Sequence, residues 1–184
     1  MKHLVLLLEE PSAQDALQAW LPNWLPAGVL PHFIVFQGKQ DLERRMVMRI
    51  RHWLRPDSRF LVLRDQDSGD CRIVKAGLVD RCVEAGRPDA VVRVACRELE
   101  SFFIGDWQAI AEAFDKPPLA RLAGKAMYRN PDGLGSPSQE LAKHLPGYQK
   151  RDGARRIAPL VAPERNVSRS FHALREAVIA LGVA

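Results

Sequence analysis

Carboxylates recur where apolar runs of the chain end. Glu9 and Glu10 follow "HLVLLL", Asp65 and Asp67 follow "RFLVLR", and Glu98 and Glu100 follow "AVVRVACR". If these runs are strands of one parallel sheet, the acids reach its carboxyl edge, where such sheets bind ligands. Gathering so many like charges costs free energy, because each carboxylate raises the pKa of the others unless a cation compensates. Oxygen donors without a His/Cys set select a hard ion, Mg²⁺ or Mn²⁺, rather than zinc. The two-residue spacing of "DQD", on an extended segment, turns Asp65 and Asp67 to one side, so both can face one metal. Asp70, three residues on, suits the N-cap of a following helix. Alone, the DxD spacing also fits an ordinary turn or cap. It gains weight from Glu9 and Glu100 at comparable strand ends. Glu10 reads as a solvated turn residue and Glu98 as an exposed helix residue.

Strands alternating with helices must position these acids. The apolar runs His3–Leu8, His32–Phe36, Arg59–Leu63 and Ala90–Ala95 predict four strands. Between them, helical spacing predicts helices at Ala13–Leu25, opened by Pro11-Ser12, at Lys39–Leu54 and at Cys71–Ala85, with a further helix at Arg97–Phe114. Trp20, Trp24 and Trp53 fall on apolar helix faces, as core residues do. The alternation implies βαβ units and an α/β three-layer sandwich with a mainly parallel four-stranded sheet. After Phe114 the texture changes. "DKPP" and "YRNPDGLGSPSQE" are loop-like, and short helices are expected at Ser138–His144, Gly153–Leu160 and Ser168–Leu181. This divides the chain into a core, 1–115, and a basic helical extension, 116–184, that packs on the core.

Charge follows the same division. Residues 1–115 carry 15 Lys+Arg against 17 Asp+Glu, and residues 116–184 carry 12 against 5. The basic part could seat nucleic-acid phosphates through Lys150, Arg151, Arg155 and Arg156 beside Tyr148. Solvated helix faces explain the same charges. Lys39, after Gly38, is a second candidate phosphate contact, although "QGKQ" is no P-loop. The five histidines show no ligand spacing. Three cysteines without a CxxC pair fit a reducing cytoplasm better than a disulfide framework or zinc site. No apolar run approaches the roughly 18 residues of a membrane span.

Several stretches resemble a known pattern. "LVLLLEEPSAQDAL" is similar to the first Toprim motif, and "FLVLRDQDSGD" to the second, a strand ending in DxD. Over nearly its full length the chain resembles a bacterial Toprim-like family of unassigned function, related to the OLD (overcoming lysogenization defect) nucleases and often encoded beside an ABC-type ATPase. The resemblance runs through "QGKQDL", "CRELESFFIGD", "YQKRDGA" and "SRSFHAL". It implies Glu9 as general acid/base or metal ligand, Asp65 and Asp67 as metal ligands, and Glu100 and Asp106 as the later acidic motif. Glu10 stands where the pattern has Gly, and Phe102 where it has Trp.

The expected function is therefore a Mg²⁺- or Mn²⁺-dependent nuclease of an ATPase-associated, defence-type system. Glu9 would be the catalytic residue. Asp65, Asp67 and Glu100 would hold metal, with Glu98 and Asp106 as accessory acids. DNA or RNA would be the substrate, with an ABC-type, OLD-like ATPase as partner. The alternatives are a non-catalytic binding or regulatory subunit of that ATPase, and phosphotransfer on small phosphomonoesters.

Overall fold

The apolar runs form four strands in the computed structural model, which describes residues 1–184. They are β1 (Lys2–Leu8), β2 (Val29–Val35), β3 (Ser58–Asp65) and β4 (Val91–Ala95). All pair in parallel, in the order β2-β1-β3-β4. The central strands are buried on both faces, which is why their sequences are continuously apolar rather than alternating. Leu4, Leu6 and Leu8 face one core, and Val5 and Leu7 the other.

The smaller core is closed by α2 (Lys39–Arg51) and α3 (Cys71–Glu84), through Leu42, Met46, Ile50, Leu78 and Cys82. The larger one is closed by α1 (Pro11–Trp24), α4 (Glu100–Ile104), α5 (Trp107–Ala113), α6 (Pro137–His144), α7 (Lys150–Ile157) and α8 (Arg169–Val183). The result is an α/β sandwich of three layers with a four-stranded parallel sheet and a helical C-terminal part. Trp20 and Trp24 of α1 and Phe171 of α8 share the larger core, and the Trp20 indole donates to the Ala158 carbonyl at 2.8 Å. No helix is long and apolar enough to cross a membrane.

Several element boundaries differ from the sequence reading; β2 starts at Val29 rather than His32, and α7 starts at Lys150 rather than Gly153. The α2 helix stops at Arg51, so Trp53 lies beyond it and donates its indole N–H to Ser58 Oγ, while Leu54 is exposed. The single helix expected over Arg97–Phe114 is two. Arg97 has a left-handed backbone, and the Asp106 carboxylate accepts from the Ala109 N–H to start α5 afresh. Asp side chains favour such caps over helix interiors for this reason. Finally, β3 runs through Asp65, which is a strand residue, not one just past the strand.

Candidate functional site at the carboxyl edge of the sheet

The first strand hands its chain to α1 through Glu9 and Glu10. Glu10 occupies the N-cap position of α1 in extended conformation (φ −142°, ψ 158°), so a side chain is accommodated there without strain. The Glu9 carboxylate accepts the Asp65 backbone N–H at 3.0 Å and lies 3.8 Å from Arg64 Nε. Burial raises the pKa of Glu9, with Asp67 adding to the shift, against the lowering effects of the Asp65 N–H and Arg64.

Asp65, Glu100 and Glu10 converge with one ammonium among them. Lys150 Nζ is 3.4 Å from Glu10, 3.8 Å from Glu100 and 3.9 Å from Asp65. Glu100 is wholly buried. One of its oxygens accepts a long hydrogen bond from the Tyr148 hydroxyl at 3.4 Å, and the other, Oε2, has no hydrogen-bond partner. Such orphaned atoms are uncommon in folded proteins and call for an explanation. Burial, with Glu10 adding to it, raises the Glu100 carboxyl to about 7 despite the opposing Lys150 charge. Asp65 is likewise raised, by burial first and then by Glu10. Burial alone would lower the pKa of Lys150. The carboxylates of Glu100, Glu10 and Asp65 outweigh it and hold the ammonium above its ordinary range.

Lys150 is held in place by its own helix. Arg151 and Arg155 both bond Asp15 of α1, at 2.7 and 3.2 Å, and Arg156 donates to the Ala113 carbonyl while lying over the Phe114 ring. Gly153 lets Tyr148 lie against α7, because a Cβ there would collide with the Tyr148 ring. The four cations read as a nucleic-acid surface are thus each engaged within the chain. Lys150 neutralises acids, and the three arginines dock α7.

Asp67 sits apart from Asp65. Its φ of 55° is left-handed, so the extended geometry that would turn both aspartates to one side is absent. Instead Asp67 pairs with Lys39 Nζ at 2.9 Å. Lys39 reaches it because Gly38, with φ 96°, turns the chain into α2 while its N–H bonds the Glu9 carbonyl. Only glycine takes that backbone readily.

The accessory acids have other work. Glu98 accepts the Ser138 N–H at 2.6 Å in the first turn of α6. Asp106 accepts from Ala109, Ala162 and the Arg165 guanidinium. Asp70 caps α3, as its spacing suggests, through the Arg72 and Ile73 N–H groups. Ser168 caps α8.

Glu10 is not the solvated turn residue its sequence position suggests; it belongs to the cluster, accepting from Ser12 and facing Lys150. The Lys150 role was equally hidden, since its partners lie far away in sequence. The available signal was the surplus of acids at one edge, which demands a cation, beside a surplus of bases in the tail.

The cluster offers only oxygen donors and one orphaned buried oxygen, which suits a hard divalent cation. As arranged, no three His, Cys, Asp or Glu side chains form a ready cage, because the Lys150 ammonium sits between them. A surface hollow of about 460 Å³ between the end of α1 and the start of β2 lies at the opposite edge of the sheet and shares none of these residues.

Compared with known families, residues 8–179 match the model described as Domain of unknown function (DUF4276). No curated protein and no solved structure matches the chain.

Proposed function

The chain belongs to that family, the Domain of unknown function (DUF4276), and from that premise we propose that its carboxylate cluster is the centre of a metal-dependent phosphodiesterase, a Toprim-like nuclease. The observation that carries this reading is Glu100, a wholly buried acid with one oxygen that accepts no hydrogen bond and has only the Lys150 ammonium, 3.8 Å away, beside it. A purely structural acid would be expected to have its lone pairs filled.

Asp65 and Glu100 would hold Mg²⁺ or Mn²⁺, with Glu9 at the rim and Asp67 on the Lys39 side. When bound, the ion supplies positive charge to the phosphoryl oxygens and acidifies water. Glu100, with a pKa of about 7, can take up and release a proton at neutral pH. Glu9 is oriented by the Asp65 N–H and can accept a proton from an attacking water. Lys150 compensates the acids in the free protein and can turn its ammonium to a substrate phosphate. Lys39, on a short helix start, can do the same once Asp67 releases it. The family resemblance brings with it an ABC-type, OLD-like ATPase as the controlling partner and DNA or RNA as substrate.

A second reading has its own support. Because the Lys150 ammonium already lies among three acids, where a cation would sit, the chain can serve as a non-catalytic subunit docked on that ATPase. Calorimetric titration with Mn²⁺ separates the two, together with assays of DNA and RNA cleavage with and without the ATPase. The nuclease reading expects Mn²⁺ binding and cleavage, both abolished in Asp65→Asn and in Glu100→Gln. Cleavage that persists in both variants would sink the site assignment, and an absence of metal binding with substrate and partner present would favour the docking subunit.

A further inference from the structure

On the far side of β3 from Glu9, two cysteines meet. Cys71 is the first residue of α3, and Cys96 follows the last residue of β4. Both line the same surface hollow. Both are partly exposed, whereas the third cysteine, Cys82, is buried in the smaller core. The two thiols open on a surface hollow of about 420 Å³ whose wall also carries Lys75, Arg93 and Arg169, with no Asp or Glu. Behind Cys96, Asp132 is occupied by the hydroxyls of Ser168 and Ser170.

We propose that Cys71 and Cys96 form a reversible dithiol site that reacts with anionic low-molecular-weight disulfides drawn in by Lys75, Arg93 and Arg169. Adjacent, accessible thiols are the arrangement that thiol–disulfide exchange requires, and cations attract an anionic reagent. Cys71, its proton released to solvent, attacks one sulfur of the small disulfide. The old S–S bond breaks, one small thiolate leaves, and a mixed disulfide remains on Cys71. Cys96 then loses its proton, attacks the Cys71 sulfur and displaces the second small thiolate. The protein dithiol is oxidised by two electrons, and the small disulfide is reduced to two thiols. Cys96 is the resolving partner because burial, aided by Asp132, pushes its thiol up to about 11. The bond would staple the chain just after the Asp67–Asp70 turn to the chain just before Glu98 and Glu100. This inference stands on the thiols and their hollow and does not depend on metal binding or nuclease activity.

The test treats the full chain at neutral pH with oxidised glutathione, which is anionic, or with the neutral hydroxyethyl disulfide. Remaining thiols are alkylated and peptides are mapped by mass spectrometry. The expected product is a Cys71–Cys96 disulfide that dithiothreitol reverses, formed several-fold faster with oxidised glutathione. Cys96→Ser should stop at a mixed disulfide on Cys71, and Cys71→Ser should leave Cys96 unreacted. Lys75→Ala combined with Arg169→Ala should remove the preference for the anionic reagent. The proposal is overturned if the folded wild type yields no Cys71–Cys96 bond, if the two thiols are modified independently, or if the wild type reacts equally fast with both reagents. Circular dichroism of each variant guards against misfolding. Because serine is nearly isosteric, a folded Cys71→Ser chain that still reacts at Cys96 counts against the mechanism.

Discussion

Asp106 and Glu100 are both buried, both carboxylates, and close neighbours in sequence, yet their surroundings are opposite. Asp106 accepts from two backbone N–H groups and both arms of Arg165, all within 3.2 Å. Its charge ties α5 to the segment that follows Val161. Glu100 receives one hydroxyl at 3.4 Å on Oε1, while its Oε2 faces an ammonium at 3.8 Å and accepts no hydrogen bond. The contrast teaches that burial alone does not separate these two acids. What separates them is whether the lone pairs are filled, because a group serving only the fold loses free energy by leaving them empty.

Breaking the satisfied acid should have the largest effect. Asp106→Ala would leave Arg165 and two N–H groups unpaired, and it is expected to cost about 3 kcal/mol of stability in urea unfolding. Mn²⁺ should not restore it. An Asp106→Ala chain of wild-type stability would erase the distinction drawn above.

Next comes Lys150→Met, which removes the ammonium from among Glu10, Asp65 and Glu100. A loss of about 2 kcal/mol is expected in the metal-free chain. Here Mn²⁺ should recover stability, seen as a larger rise in melting temperature than in wild type. Equal rises would mean that the acids do not share a cation site.

A third test uses pH. Glu9, Asp65 and Glu100 all have raised pKa values in the folded chain, Glu100 to about 7. Between their ordinary range and about 7 the folded state therefore binds more protons than the unfolded one. Stability contributed by these groups is present at low pH and falls as pH rises through that window. Glu100→Gln should flatten this fall in thermal melts from pH 5 to 8. An unchanged slope would count against a strained Glu100.

The smallest effect is expected at Asp15. Its carboxyl is held below the usual range by hydrogen bonding to Arg151 and, more weakly, to Arg155. These arginines are solvent-exposed, so Asp15→Asn should cost less than about 1 kcal/mol. It should also strengthen salt-sensitive binding to DNA by freeing both guanidinium groups, measurable by fluorescence anisotropy.

Much of the frame was legible because its signals are local. Continuous apolar runs marked β1, β3 and β4, and the caps at Asp70 and Ser168 sit where their types predict. The sheet then carried Glu9, Asp65 and Glu100 to one edge. What stayed hidden was non-local or conformational. The left-handed backbone of Asp67 belongs to a turn tied to a distant one, in which the Asp67 N–H donates to the Arg97 carbonyl and the Arg97 N–H donates to the side-chain amide oxygen of Gln66. The partners of Arg151 and Arg155 lie in α1, at the other end of the chain. Lys150 looked like one of four surface cations because nothing near it in sequence is an acid cluster.

The distance along the chain between Glu10 and Lys150 sets the order in which the molecule can be completed. During synthesis the strands and their acids leave the ribosome well before residue 150 does, and domains fold from the first-made end. Until α7 docks, the acids at that edge repel one another without a counter-charge, and the larger core lacks Ala154, Ile157 and Phe171. The acidic edge therefore gains its counter-charge only once α7 has been made.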